Sequence, residues 1–293
     1  MRLILFSTVL LISITTFSQQ AFTFPVIKED NTLNWKGIEK KVPKTTVDKF
    51  IKATPKNFQP YKLKDPDAFL NIDSLRNDLH FVDLNGDGNE DVVFYGQGGG
   101  ESRETRIFLN TGQNYKQVFS DYQSIVKFDW ENKKIQNLYI INWGCCDDYV
   151  VTNKIYQITY DKLNIPSFKQ IYQSASIFKA EKPDTLFEKS IRFEVLNDNY
   201  NMRSNPILDD NSLQHWNDDQ VKGKGTGNVI GKLIKGATGT AVGKKLDKSG
   251  REWWYVEIDE QFPPKANVIV LAPENKFPTK VIGWISSRFV KPL

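Results

Sequence analysis

Residues 83–91 read DLNGDGNED, with FV before them and VVFY after. Acidic or amide side chains stand at positions 1, 3, 5 and 9 of this stretch, as Asp83, Asn85, Asp87 and Asp91. Position 7, Asn89, offers a backbone carbonyl. Side chains spaced this way in a tight loop can converge on one point, and Gly86 and Gly88 permit the turn that convergence needs. Such a set of oxygens suits a hard cation like calcium, which takes about six to eight oxygen ligands. The other reading is a merely polar Asx-rich turn. Phe94 stands where an EF-hand carries its closing glutamate, and strand-like apolar segments replace the flanking helices. The loop is therefore not an EF-hand, and it predicts a strand-to-strand turn in a β-rich fold.

Working outward, Asp91 opens the apolar run DVVFYG, RETRIFLN and YKQVFSD read as strands, and the NTG between them is a hairpin signal. A second stretch, DWENKKIQNLYI at 129–140, aligns without gaps on DLNGDGNEDVVF at 83–94, a period of 46 residues from Asp83 to Asp129. A further hairpin pattern follows each copy. The second copy has Lys133 where the first has Asp87, so most of any cation-binding ability is lost there.

The loop and the IFLNTG after it, from Phe81 to about Ser120, resemble the FG-GAP/VCBS type of β-propeller repeat. That resemblance implies a structural calcium ion held by Asp83, Asn85, Asp87, Asn89 and Asp91, and propeller-blade-like hairpin units over 81–175. One full loop and one decayed copy are too few for a closed propeller. The glycines at 98–100 lack the Gly-Lys-Ser/Thr ending of a phosphate-binding loop.

The C-terminal part, 191–293, has a different texture of short strands punctuated by glycine. YNMRSNP (200–206), NVIGKLIKGATGTAVGKK (228–245), WWYVEI (253–258) and GWISSRFVKPL (283–293) occur in that order and resemble the bacterial SH3 (SH3b) family. This implies a small SH3-like barrel with a binding surface for cell-wall glycan-peptide or a protein of the envelope. Two long insertions split the blocks. Val229, Ile230, Leu233, Val242, Trp254, Val256 and Ile285 are the candidate core. Strand alternation places Trp253 and Tyr255 opposite Trp254. With Trp284 they form a candidate ligand-stacking face, packing being the alternative. The lysines from Lys222 to Lys248 read as a solvated surface, with contact to anionic wall polymer a secondary reading.

The start of the chain, MRLILFSTVLLISITTFSQQ, has the layout of a secretory signal peptide over 1–19. Its apolar run is shorter than the roughly 18–20 residues of a membrane span. Export to the periplasm or the extracellular space is the expectation, with no membrane span. Residues 20–80 read as an extension with one short helix, KTTVDKFIKA, capped by Thr45 or Thr46. Residues 65–79, DPDAFLNIDSLRNDL, are ambiguous between helix and loop, and 174–190 reads as a linker or joining helix. The two cysteines are neighbours, Cys145 and Cys146. Both a vicinal disulfide and a pair of buried thiols are open readings.

The chain of 293 residues has 39 Lys+Arg against 35 Asp+Glu, a formal charge of +4. That small excess argues against a nucleic-acid partner. The two histidines, His80 and His215, lie in no zinc-ligand pattern, and no G-x-S-x-G elbow is present. The adjacent pairs Asp147-Asp148 and Asp209-Asp210 would point to opposite faces of a strand rather than form a glycosidase pair. The sequence reads as a calcium-stabilised, exported, non-catalytic binding protein. The competing reading is a cell-wall hydrolase with an unrecognised active site, targeted by the SH3b module.

Overall fold

The computed structural model describes residues 25–26, 33–58, 61, 63–64, 68–98, 103–143, 149–214, 227–266, 268–269 and 276–293. The expected signal peptide, the Cys145–Cys146 pair, Asp147, Asp148 and His215 lie outside the described residues. The fold is mainly β, with fifteen strands and two α-helices among the described residues. No described helix is long and apolar enough to cross a membrane.

Helix α1, Lys44–Ala53, is the expected short helix, but its cap is not a threonine. Pro43 stands at the N-cap with φ −59°, and no side chain caps the helix. The proline ring fixes a φ ready for helix entry, so Thr45 and Thr46 fall inside the first turn. Helix α2, Ile72–Asn77, resolves the ambiguous stretch: Asn71 Oδ1 accepts from the N–H groups of Asp73 and Ser74 at 2.9 and 3.0 Å.

Four strands follow in an antiparallel meander: β1 Leu79–Val82, β2 Asp91–Gln97, β3 Arg103–Asn110 and β4 Tyr115–Asp121. A second meander repeats the arrangement with β5 Ser124–Glu131, β6 Lys134–Asn142, β7 Val150–Tyr160 and β8 Pro166–Ile177. The first sheet is covered on both sides. Val92 and Phe94 of β2 pack with Phe50 and Ile51 of α1. Val93, one residue between them, joins Val82 and Leu84 in a core shared with Ile125, Ile135 and Leu138 of the second meander. Burial on both faces is why β2 reads as a continuous apolar run rather than an alternating one.

The C-terminal strands are β9 Thr185–Val195, β10 Tyr200–Arg203, β11 Val229–Leu233, β12 Thr238–Leu246, β13 Glu252–Ile258, β14 Lys280–Ser286 and β15 Val290–Pro292. Ile230, Leu233, Trp254, Val256 and Ile285 share one core with Phe193 and Met202. The expected small barrel is not closed. Instead β14 pairs in parallel with β8, through Lys280↔Ser174 and Val281↔Ala175. One eleven-stranded sheet thus runs from the second meander into the C-terminal half. The 174–190 stretch is neither free linker nor helix: β8 extends to Ile177 and β9 begins at Thr185, which lets the chain pass directly from one part of the sheet to another.

Candidate metal centre

The loop 83–90 joins β1 to β2, across the pair Val82↔Asp91. Its carboxylates organise the backbone. Asp83 Oδ1 accepts from the N–H groups of Gly86 and Asp87 at 2.8 and 3.2 Å, and its Oδ2 accepts from Gly88 at 3.0 Å. Asn85 Oδ1 accepts from Asp87 N–H at 3.2 Å, and Asp87 Oδ1 accepts from Asn89 N–H at 2.7 Å. Gly86 and Gly88 have φ +71° and +87°. A side chain on Gly86 would also sit 3.2 Å from the carbonyl oxygen of Lys133. These are the conformations for which the two glycines were expected.

Asp91 is fully buried. Its Oδ2 accepts from Leu84 N–H at 3.0 Å and its Oδ1 from Asn110 N–H at 2.8 Å. Burial raises its pKa to about 7, and the charges of Asp87 and Asp83 add to the rise, although the two N–H bonds oppose it. Among the described residues none of these three aspartates is in an ion pair. Nor do three acidic, histidine or cysteine side chains converge at metal-binding distance among the described residues. The Asp83 and Asp87 carboxylates are directed at N–H groups of their own loop. The donor set is nonetheless all oxygen, and a buried carboxylate with two others beside it is an environment that a cation would relieve.

The loop is held from outside by residues that the sequence did not single out. Asn85 Nδ2 donates to the carbonyl of Asn164 at 3.2 Å, and Asn164 Nδ2 donates to the carbonyl of Asn85 at 2.9 Å. Ile135 N–H donates to the carbonyl of Leu84 at 3.0 Å. The Tyr160 hydroxyl lies within hydrogen-bond distance of the carbonyls of Leu84 and Ile135. Lys134 Nζ donates to Asn164 Oδ1 at 2.5 Å. Asn164 sits in the β7–β8 turn with φ +62°. An asparagine in a turn is the only signal its sequence gave, and nothing there linked it to Asn85.

The equivalent hairpin of the second meander has no loop. Asn132 and Lys133, with φ +50° and +63°, make a two-residue turn between Glu131 and Lys134, which pair directly. Asp129 is occupied by Lys127 Nζ at 2.6 Å and the Tyr139 hydroxyl at 2.6 Å.

The three aromatic residues expected to offer a stacking face are buried: Trp253 is 1 %, Tyr255 3 % and Trp284 0 % exposed. They pack with Ile282, and Val26 and Val242 lie against them. The Trp284 indole N–H donates to the carbonyl of Glu181 and Trp253 to Asp247 Oδ2, while Lys182 Nζ donates to the Tyr255 hydroxyl. Of the two readings of this face, open stacking surface or packing, burial corrects the first: Val26, Glu181 and Lys182 lie against it.

Of the residues weighed for catalysis, His80 stacks on Trp35 at 3.7 Å and faces Glu39 Oε2 at 2.7 Å. Burial lowers its pKa despite that carboxylate. Asp209 accepts from the N–H groups of Asn211 and Ser212, and Asp210 pairs with Arg203 at 2.7 Å. In comparisons with known proteins, no family model matches the chain, and no curated protein or solved structure matches it significantly.

Proposed function

We propose that this chain is an exported, non-catalytic binding protein whose β fold is stabilised by calcium in the 83–91 loop. The observation that carries the reading is the fully buried Asp91, beside Asp83 and Asp87 in an oxygen-rich loop that joins β1 to β2 of the first sheet. Asp83, Asn85, Asp87 and Asp91 would hold the ion with side-chain oxygens and Asn89 with its carbonyl. When bound, calcium supplies positive charge to an acidic loop whose Asp91 is buried. The residues themselves fix the turn and tie it to Asn164 and Ile135.

In this reading the two four-stranded meanders are propeller-blade-like units, supported by their equal strand count and by the match of 83–94 with 129–140. The C-terminal half is SH3b-like, supported by the order of its four sequence blocks and by the antiparallel run β12–β13–β14. Its partner class is cell-wall glycan-peptide or an envelope protein. Trp253, Tyr255 and Trp284 act as packing residues, so that ligand meets other parts of the surface.

The test is a calcium titration followed by calorimetry and thermal melting, with Asp87→Ala in parallel. Saturable binding that raises the melting temperature of the wild type, and is absent in the variant, is the expected result. No binding at millimolar calcium would reduce the loop to an Asx-rich turn.

A further inference from the structure

An open groove of about 500 Å³ runs between the tips of the first hairpins of the two meanders. Its lining includes Ile38, Val82, Asp83 and Glu90 on one side and Trp130 and Lys133 on the other. That volume is in the range of small-ligand sites, roughly 300–1,000 Å³. Trp130 is 39 % exposed, near the end of β5, and its ring meets Phe128 edgewise at 6.0 Å. Most large apolar side chains of this sheet are covered, so this indole is an apolar surface left at a groove wall.

The charges of the groove are close to balanced. Lys40 and Glu90 pair with each other. The Asp83 carboxylate is engaged by three N–H groups of its own loop. Lys133 is exposed and adds one donor. The second carboxylate oxygen of Glu90, Oε2, is buried with no hydrogen-bond partner among the described residues. A buried acceptor without a donor costs about 1–3 kcal/mol. The groove therefore combines an indole, the Lys40–Glu90 pair and Lys133, without the surplus of one sign that would select a strongly charged ligand.

We propose that this groove binds a neutral, β-linked sugar chain, stacked on Trp130 with its hydroxyls meeting the Lys40–Glu90 pair and Lys133. A gluco-configured ring in a β-linked chain presents C–H groups on its faces and hydroxyls around its rim. The faces suit the indole, and the rim hydroxyls supply acceptors for Lys40 and Lys133. The site is separate from the SH3b-like half. It does not require the metal, although Asp83 belongs both to its wall and to the calcium loop.

Calorimetry of the full chain with the β-1,4-linked tetramers of glucose and of N-acetylglucosamine tests this, with and without calcium. Saturable binding to at least one tetramer is expected. Trp130→Ala should weaken it about tenfold or more, and Trp130→Phe by less than about threefold, with melting temperature held close to wild type. Sugar binding that persists in Asp87→Ala supports the groove even where the metal reading fails. No saturable heat at millimolar tetramer overturns the proposal, as does equal affinity in Trp130→Ala. Binding of an unstructured peptide of similar length without any sugar binding also overturns it, and would assign the groove to peptides.

Discussion

Asn85 and Asn164, 79 residues apart, exchange hydrogen bonds: each side-chain amide donates to the other's backbone carbonyl, at 3.2 and 2.9 Å. The first residue lies in the acidic loop and the second in the β7–β8 turn, so the pair locks the first meander to the second. Asn85 is almost wholly buried, so its polar atoms have little access to water in exchange. Asn164→Ala should destabilise the fold by about 1–3 kcal/mol, because it removes the Nδ2 donor from the Asn85 carbonyl and the Oδ1 acceptor from Lys134, and puts alanine at a positive φ. Asn164→Gly separates the two effects: it relaxes the backbone and loses only the side-chain bonds. Urea midpoints of the three proteins measure this, and equal midpoints would show that the pair contributes nothing.

Substitutions at Asp87 and Asp91 should differ in what they cost without calcium. Asp87 is exposed, so Asp87→Ala is expected to cost less than about 1 kcal/mol without calcium and to abolish any calcium-dependent gain. Asp91→Asn places an amide where two carboxylate oxygens each accept a backbone N–H. One donor then faces another, and the cost should be about 1–3 kcal/mol without calcium and larger in excess calcium, where a ligand is weakened as well. Melting in chelator and in excess calcium distinguishes the two patterns.

Acid should loosen the link between β9 and the end of β13. Arg192 grips Asp259 with two bonds, at 2.9 and 2.6 Å, and Thr238 adds a third. Burial alone would raise the Asp259 pKa, but the Arg192 and Thr238 hydrogen bonds and the Arg192 charge outweigh it and hold it below the ordinary carboxylate value. The native state therefore favours the ionised form more than the unfolded chain does. The stabilisation is present above the unfolded pKa near 4 and is lost as pH falls through the lower folded value. Asp259→Asn should flatten the acid limb of the stability–pH curve, and an unchanged limb would remove this pair from the account.

Two tryptophans give a packing contrast. Trp284 is fully buried and its indole N–H is bonded to Glu181, so Trp284→Ala should cost about 3–5 kcal/mol. Trp130→Ala, at a half-open groove wall, should cost far less. Chemical denaturation of both variants would show whether buried area ranks them this way.

Much of the strand pattern was legible because alternation, apolar runs and turn residues are local signals. RETRIFLN, NTGQN and YKQVFSD correspond to β3, its turn and β4. The loop's glycine conformations followed from the same logic. Three things were not legible. Pro43 displaced the threonine cap, because a preset φ starts the helix without a side-chain bond. For Trp253, Tyr255 and Trp284 a stacking face and plain packing both stayed open, because alternation says which side a residue points to and not what covers that side. The partners of the acidic loop, Asn164 and Tyr160, are distant in sequence and of common types, so no spacing rule reaches them.

The sequence by itself determined a mainly β chain with an oxygen-rich, glycine-turned loop between two strands, because backbone preference and side-chain period act over a few residues. Only the tertiary structure decided that the C-terminal strands extend the second meander through β8 and β14 rather than closing on themselves. It also decided that Asp91 is buried beneath the loop and that Trp130 is left at a groove. Those outcomes depend on which sheet edges meet and which faces are covered, and burial of that kind is a property of the whole chain rather than of any stretch of it.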